Sequence, residues 1–380
     1  MRDAAFIFAL TLAAAAQGAG PAVSDLDVIR GTEADARFAR AAAPVKFQFP
    51  RDQGPHPQFR HEWWYLTGNL DSASGKRFGF ELTFFRLALA PPAGDGTGTG
   101  SSAWRTRQIY AAHFAVTDVE ARRFSFSERR SRDALGLAGA QSDPLRVWVE
   151  DWTLGSQAPL DSPGGAADSW HLNCRGQDYE LDLEARPLEP PVPNGDGGLS
   201  RKSSEPGAAS VYYSIPRVAI HGTLNRGAQA IPVKGLAWLD REWGSGSLGS
   251  RQQGWDWFAL QFRDGSSLMF YTLRNRDGSR DPHSAGTWVD AAGKVTPLGT
   301  DQVSIDVTAH WVSPRGGRYP SRWRVRVASI GIDVEIRPVM ADQELDTRPR
   351  YWEGAVDVQG AGKSLVSGGR GYVELVGYGE

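Results

Sequence analysis

Apolar and polar residues alternate along most of this chain. Tyr179-Glu180-Leu181-Asp182-Leu183-Glu184-Ala185 sets every second side chain on an apolar face and puts acids on the other. Val303, Ile305, Val307, Ala309 and Trp311 alternate in the same way with Ser304, Asp306, Thr308 and His310. Trp323, Val325 and Val327 alternate with Arg322, Arg324 and Arg326. This period of two is the signature of half-buried antiparallel strands. Less regular runs at 80–87, 110–117, 146–152, 217–224, 257–262, 268–274 and 372–376 read likewise. Asp264-Gly265, Asp277-Gly278 and Ala292-Gly293 stand where hairpins should close. Helical periodicity is scarce, and residues 33–43 are the best candidate. Many short strands at regular spacing predict an all-β protein built of sandwiches or barrels.

Length and composition narrow this picture. The 380 residues suffice for two or three domains with their own cores. Lys and Arg number 42 against 44 Asp and Glu, a formal net charge of −2 that disfavours nucleic acid as a partner. Arg2, the apolar run 6–16 and the small residues 14–20 read as a secretory signal, too short to span a bilayer. The expected location is periplasmic, with no membrane span in the mature chain. Cys174 is the only cysteine, so neither an internal disulfide nor a lipid-anchoring cysteine at the cleavage site is expected. The expected organisation is a signal peptide over 1–20, a lead-in over 21–44, and domains over 45–234 and 235–380. The Gly-rich loop 91–102 lacks the residues of a phosphate loop. The Pro- and Gly-rich loop 187–209 has the length of a linker or a lid.

The chemistry concentrates in two aromatic and acidic signatures, His61-Glu62-Trp63-Trp64-Tyr65 and Trp238-Leu239-Asp240-Arg241-Glu242-Trp243-Gly244. A carboxyl among large rings sits in a low-dielectric wall, where its pKa is pushed toward useful acid–base chemistry. On a strand Trp238, Asp240 and Glu242 share one face, and Leu239, Arg241 and Trp243 share the other. Two acids two residues apart on one face repel. Arg241 cannot reach them easily, so either help comes from elsewhere or one acid stays protonated.

Other chemistries are poorly supported. His61-Glu62 lacks the second histidine of a zincin helix, and the seven histidines are scattered, so no metal is expected. Ser245-Gly246-Ser247-Leu248-Gly249 misses the first glycine of a nucleophile elbow and has no strand-to-helix context. No dinucleotide fingerprint is present, and no cofactor is expected.

The two signatures, together with Gly198-Leu199-Ser200-Arg201-Lys202, Tyr212-Tyr213-Ser214 and Gly371-Tyr372-Val373-Glu374-Leu375, resemble the lipocalin-like AttH/carotenoid 1,2-hydratase family from about residue 45 onward. The resemblance implies two tandem lipocalin-like (calycin) antiparallel β-barrels in an exported protein. Such proteins are described as predicted secreted hydrolases and are linked to ABC-type permease systems. In the hydratase branch, a His-x-Trp pair and a Tyr-x-Asp pair carry hydration of an isoprenoid double bond. Arg241 with Trp243, and Tyr271 with Leu273, stand at those places here, so the titratable His and Asp are replaced.

These readings combine into an exported protein that holds a hydrophobic, isoprenoid or lipid-like ligand and serves a permease. The alternative is an enzyme that adds water to an isoprenoid double bond by acid protonation, with aromatic rings stabilising the cation. Asp240, Glu242, Arg241 and Tyr271 are the candidate catalytic groups. Glu62, Trp63, Trp64, Tyr212, Trp243 and Trp257 are the candidate ligand contacts. A third outcome, in which the signatures only glue the domains together, stays open at this point.

Overall fold

The computed structural model describes residues 36–92, 106–156, 158, 169–246, 248–348 and 350–379. Regular structure among them is β-strand, with a few three-residue 3-10 turns and no α-helix. The strands make two antiparallel sheets, of thirteen and ten strands. The first runs in space from Arg123–Arg132 through Gln108–Asp118, Arg77–Ala88, His61–Ser72, Gln229–Gly244, Ala209–Arg226 and Glu180–Pro187, and ends at Ala138–Ser142. The second runs from Val295–Gly299 through Ser267–Asn275, Gln252–Phe262, Gly368–Val376 and Tyr351–Gly360 to Ser304–Val312.

Each sheet curls around its own apolar core. Trp64, Leu66, Phe80, Leu82, Trp152, Trp170, Leu183, Ile220 and Leu239 meet inside the first. Phe258, Leu260, Phe270, Trp323, Ile336, Trp352 and Val373 meet inside the second. Residues from strands far apart in each sheet touch only if the sheet closes on itself, and each unit is barrel-like for that reason.

The alternation predicted from sequence holds at Glu180–Pro187 and over 322–327 within Arg318–Val327, but it breaks in Ser304–Val312, where the pairing shifts register on either side of Ala309 and Val307 is 41% exposed. The run 146–152 is two strands, Leu145–Val149 and Trp152–Ser156, because Glu150 turns the chain with a φ of 58°. Residues 36–43 form a turn and a bend rather than part of a helix. Phe38 is buried there, and Ala41 packs on the first core. The proposed signal peptide and residues 93–102 of the glycine loop lie outside the described residues.

The expected domain division between 234 and 235 falls inside the strand Gln229–Gly244. That strand pairs with Ala209–Arg226 over its length and, from Val233 onward, with His61–Ser72. Sheet membership therefore changes between Gly244 and Gln252. The physical reason is two-sided burial: one face of this central strand feeds the first core, and the other faces the second barrel.

The barrels pack through their outer faces. Tyr65, Tyr212, Trp238, Trp257, Met269, Tyr271, Leu273, Ala355 and Tyr372 form one apolar cluster at this seam. Polar bonds cross it as well. Asn69 donates to the Gly371 carbonyl at 3.1 Å, and Gln261 Nε2 donates to the carbonyls of Pro216 and Ala237 at 2.7 and 2.9 Å. Gly79 lies at a close approach, since a Cβ there would sit 2.7 Å from Ala355 Cβ. A side chain at that position would push the barrels apart.

Candidate active site at the barrel seam

Register builds the site. In the first sheet, cross-strand pairing places Phe85, Trp63, Glu242 and Tyr212 in one row, and Thr83, Tyr65, Asp240 and Ser214 in the next. In the second, Tyr271, Trp257, Glu374 and Glu353 form a facing row. Residues in register across an antiparallel sheet point to the same side, so both rows turn toward the seam. They enclose a cavity of about 100 Å³, counted as space open to the centre of a water molecule. Trp63, Phe85, Leu248, Trp255, Trp257 and Leu273 supply its apolar wall, and His61, Lys202, Glu242, Tyr271, Glu353 and Glu374 supply its polar groups.

Of the residues singled out from sequence, Asp240, Glu242, Tyr271, Trp63, Tyr212 and Trp257 line this cavity. Glu62, Trp64, Arg241 and Trp243 do not. They occupy the opposite face of the same two strands, and Trp64 and Trp243 belong to the first core. There Arg241 Nη2 donates to Glu62 Oε1 at 2.7 Å, Arg86 Nε donates to Glu62 Oε2 at 3.1 Å, and His56 Nδ1 lies 2.8 Å from Glu62 Oε1. The Arg241 guanidinium stacks 4.0 Å over Trp64, and His56 stacks 3.7 Å from Trp243. This buried ion cluster ties the segment before the first strand to the barrel end. Burial alone would raise the Glu62 pKa, but Arg241, His56 and Arg86 hold it far below the ordinary carboxylate range.

The repulsion expected between Asp240 and Glu242 is relieved in two different ways. Lys202 Nζ lies 2.9 Å from Glu242 Oε1, and Ser210 donates to the same oxygen. Asp240 instead meets neutral donors. Tyr212 donates at 2.5 Å to Oδ2, while Ser214 at 2.5 Å and the Trp238 indole at 2.7 Å donate to Oδ1. Burial raises its pKa to about 7 against these three hydrogen bonds, and the Glu242 charge adds to the rise.

Three further carboxyls gather at the seam. Glu374 accepts from the Trp255 indole at 2.8 Å through Oε2. Burial pushes its pKa to about 7, the Trp255 bond pulling down and Asp240 and Glu242 pushing up. Glu353, its cross-strand neighbour, accepts from the Tyr65 hydroxyl at 2.5 Å, and its Oε2 is buried with no partner among the described residues. Burial, then the charges of Glu81 and Glu374, raise its pKa well above the ordinary value. Glu81 is raised to about 8, chiefly by burial. Glu353 and Glu81 are thereby held toward the protonated form at neutral pH, and Glu374 is poised near the midpoint of its titration. His61, also on the cavity, is held neutral, its pKa lowered to about 3 by burial and then by Arg86, Arg60 and Lys202. Among the described residues no three of His, Cys, Asp and Glu are placed to hold a metal ion.

Sequence reasoning quoted His61, Lys202 and Glu374 within motifs without placing them at the site, and it passed over Glu353. Lys202 arrives from the loop 187–209, which is neither a free linker nor a lid. Its short strands Val192–Pro193 and Leu199–Arg201 lie against Ala209–Arg226. The signal for Glu353 was present, since Tyr351-Trp352-Glu353 repeats the aromatic and acidic pattern of the two signatures.

Two barrel-like antiparallel sheets joined through an aromatic cavity lined by several buried carboxyls define the class of protein. The chain belongs to the AttH-like family, which matches residues 40–378. It is 34% identical to a protein of Nitrosomonas europaea assigned as an AttH, whose crystal structure aligns over 90% of this chain and 100% of that one with a TM-score of 0.78. Kievitone hydratase from Nectria haematococca shares the fold, at 15% identity and a TM-score of 0.67 over 91% of this chain and 97% of that one. The dehydratase asqC of Emericella nidulans is 24% identical over 209 residues, which is 52% of this chain and 58% of asqC. The chain thus spans little more than half the length of that relative.

Proposed function

We propose that the protein is an enzyme that adds water to, or removes it from, a carbon–carbon double bond of an apolar small molecule held at the barrel seam. The observation that carries this reading is the presence of Glu374, pKa about 7, in an aromatic cavity beside Glu353 and Asp240. An acid poised near neutrality is what general acid–base catalysis asks for. Glu374 has one oxygen held by Trp255 and, unlike Glu353, keeps partial exposure toward the cavity.

In the hydration direction the Glu374 carboxyl gives its proton to one alkene carbon, leaving a cation on the other. The faces of Trp255 and Trp257 line the space where that charge develops. Water adds to the cation, and the proton it sheds returns to the Glu374 carboxylate. The reverse sequence expels water. Kinship with a dehydratase and a fold shared with a hydratase support the same reading, although fold alone assigns no activity.

A carrier of a hydrophobic ligand for an ABC-type permease would use the same cavity and need no proton transfer. A panel of isoprenoid and aryl alkenes in water enriched in oxygen-18, followed by mass spectrometry, separates the two. Hydration needs the protonated acid, so the rate should be flat below the Glu374 pKa of about 7. Above it the rate should fall about tenfold per pH unit. Saturable alkene binding with no oxygen-18 in the product at any pH would leave the carrier reading in its place.

A further inference from the structure

The hydrogen-bond directions around Lys202 assign a ligand chemistry to one end of the cavity. An ammonium group only donates, through three N–H bonds. Lys202 uses one on Glu242 Oε1 at 2.9 Å and one on Ser200 Oγ at 3.0 Å. No acceptor among the described residues meets the third. The ammonium instead lies 4.5 Å from the centroid of the Tyr271 ring and 5.2 Å from that of Tyr212.

Ser200 fixes the next link. Its side-chain oxygen lies 3.0 Å from the Tyr271 hydroxyl, and Ser200 is only 1% exposed. Its oxygen already accepts from Lys202, and its own O–H has one acceptor within reach, the Tyr271 oxygen. Pointing that hydrogen elsewhere would leave a buried donor unsatisfied, which costs more than the bond it forgoes. Ser200 therefore donates to Tyr271. The Tyr271 O–H must then point away from Ser200, and Tyr271 lines the cavity. The chain of donors runs in one direction, from Lys202 through Ser200 to Tyr271, and ends without a protein acceptor.

We propose that Lys202 and Tyr271 form an oxyanion seat that takes the phenolate or enolate oxygen of a planar conjugated ligand. The Glu242 charge and hydrogen bond hold Lys202 protonated, its pKa raised above the usual value even though burial alone would lower it. Trp63, Trp255 and Trp257 offer flat faces to the attached ring system. The inference rests on the seam cavity being the ligand site and deepens the proposed reaction, because an oxygen anchored here fixes which carbons of the ligand face Glu374.

Binding of p-nitrophenol, read by the absorbance of its phenolate at about pH 6, tests it without any turnover. Wild-type protein should bind the probe saturably as the phenolate, at a pH where most of the free probe is the phenol. Lys202→Met should bind at least about tenfold more weakly and lose the phenolate signal. Because that variant also strips Glu242 of its partner, Tyr271→Phe provides the second arm: it removes one hydroxyl, and a several-fold weaker binding with a smaller phenolate fraction is expected. Binding as the neutral phenol, no saturable binding, or wild-type behaviour in both variants would overturn the seat. A wild-type protein that incorporates oxygen-18 but captures no phenolate would refute this inference alone, and one that captures phenolate but incorporates no oxygen-18 would refute the reaction alone.

Discussion

Glu374→Gln should keep the fold and lose about a hundredfold or more in kcat/KM for water addition, in line with the 10²–10⁴ attributed to a positioned general acid. Glutamine matches the shape of the carboxyl and can still accept from the Trp255 indole through its amide oxygen, but it has no acidic proton to give. Ligand affinity and melting temperature should change little, since Glu374 carries no salt bridge among the described residues. Asp240→Asn should behave in the opposite sense. Both Asp240 oxygens accept hydrogen bonds, so an amide NH₂ on the Oδ1 side meets the Trp238 indole donor to donor, and on the Oδ2 side it forces the Tyr212 hydroxyl to turn round and accept. Its first effect should be on stability. Activity in Glu374→Gln equal to wild type would move the proton donor to another seam carboxyl.

The largest stability effect belongs to Glu62, which sequence placed among the ligand contacts. Glu62 is the carboxylate between two fully buried guanidiniums, Arg86 and Arg241. Arg241 also donates to the carbonyls of Gln53, Gly54 and Trp63, and Arg86 to those of His56 and Phe59. Glu62→Gln leaves both cations without a countercharge in the barrel wall, and breaking such a buried pair costs about 3–5 kcal/mol. Urea denaturation should show that loss at pH 7. The folded pKa of Glu62 is lowered, so its contribution is present above the unfolded value near 4.5 and fades only as pH falls below it. A change under about 1 kcal/mol would mean that backbone carbonyls alone hold the arginines.

The fold was legible because one physical rule, side chains alternating across a pleated strand, writes itself into nearly every segment. The site was legible in half. Asp240, Glu242 and Trp63 were found because acids among aromatic rings are costly unless they have a partner or a task, whereas Tyr212 and Tyr271 came from the family resemblance and Trp257 from the need for a ring beside a developing cation. Glu62, Trp64, Arg241 and Trp243 satisfy the same rule with the other answer, a partner. Alternation separates the two faces of Trp238–Gly244, but it does not say which face turns into the barrel when both carry rings and charges. Lys202, Glu353 and Glu374 come from distant segments, and only the packing of one barrel's outer face on the other brings them to Asp240 and Glu242. The domain division slipped for the same reason: a strand apolar on one face and aromatic on the other looked like the start of a new unit rather than the wall shared by two.

Water addition at the seam requires a Glu374 carboxyl that still carries its proton just below neutral pH. Infrared difference spectroscopy of the wild-type protein, titrated from pH 5 to pH 9 against Glu374→Gln, reads it directly through the carbonyl stretch of the protonated acid. The wild-type protein should show such bands at pH 6, with one component that is lost as pH rises through about 7 and is missing from the variant. A spectrum at pH 6 with no protonated carboxyl, or one identical in the two proteins, would contradict the proposed role of Glu374.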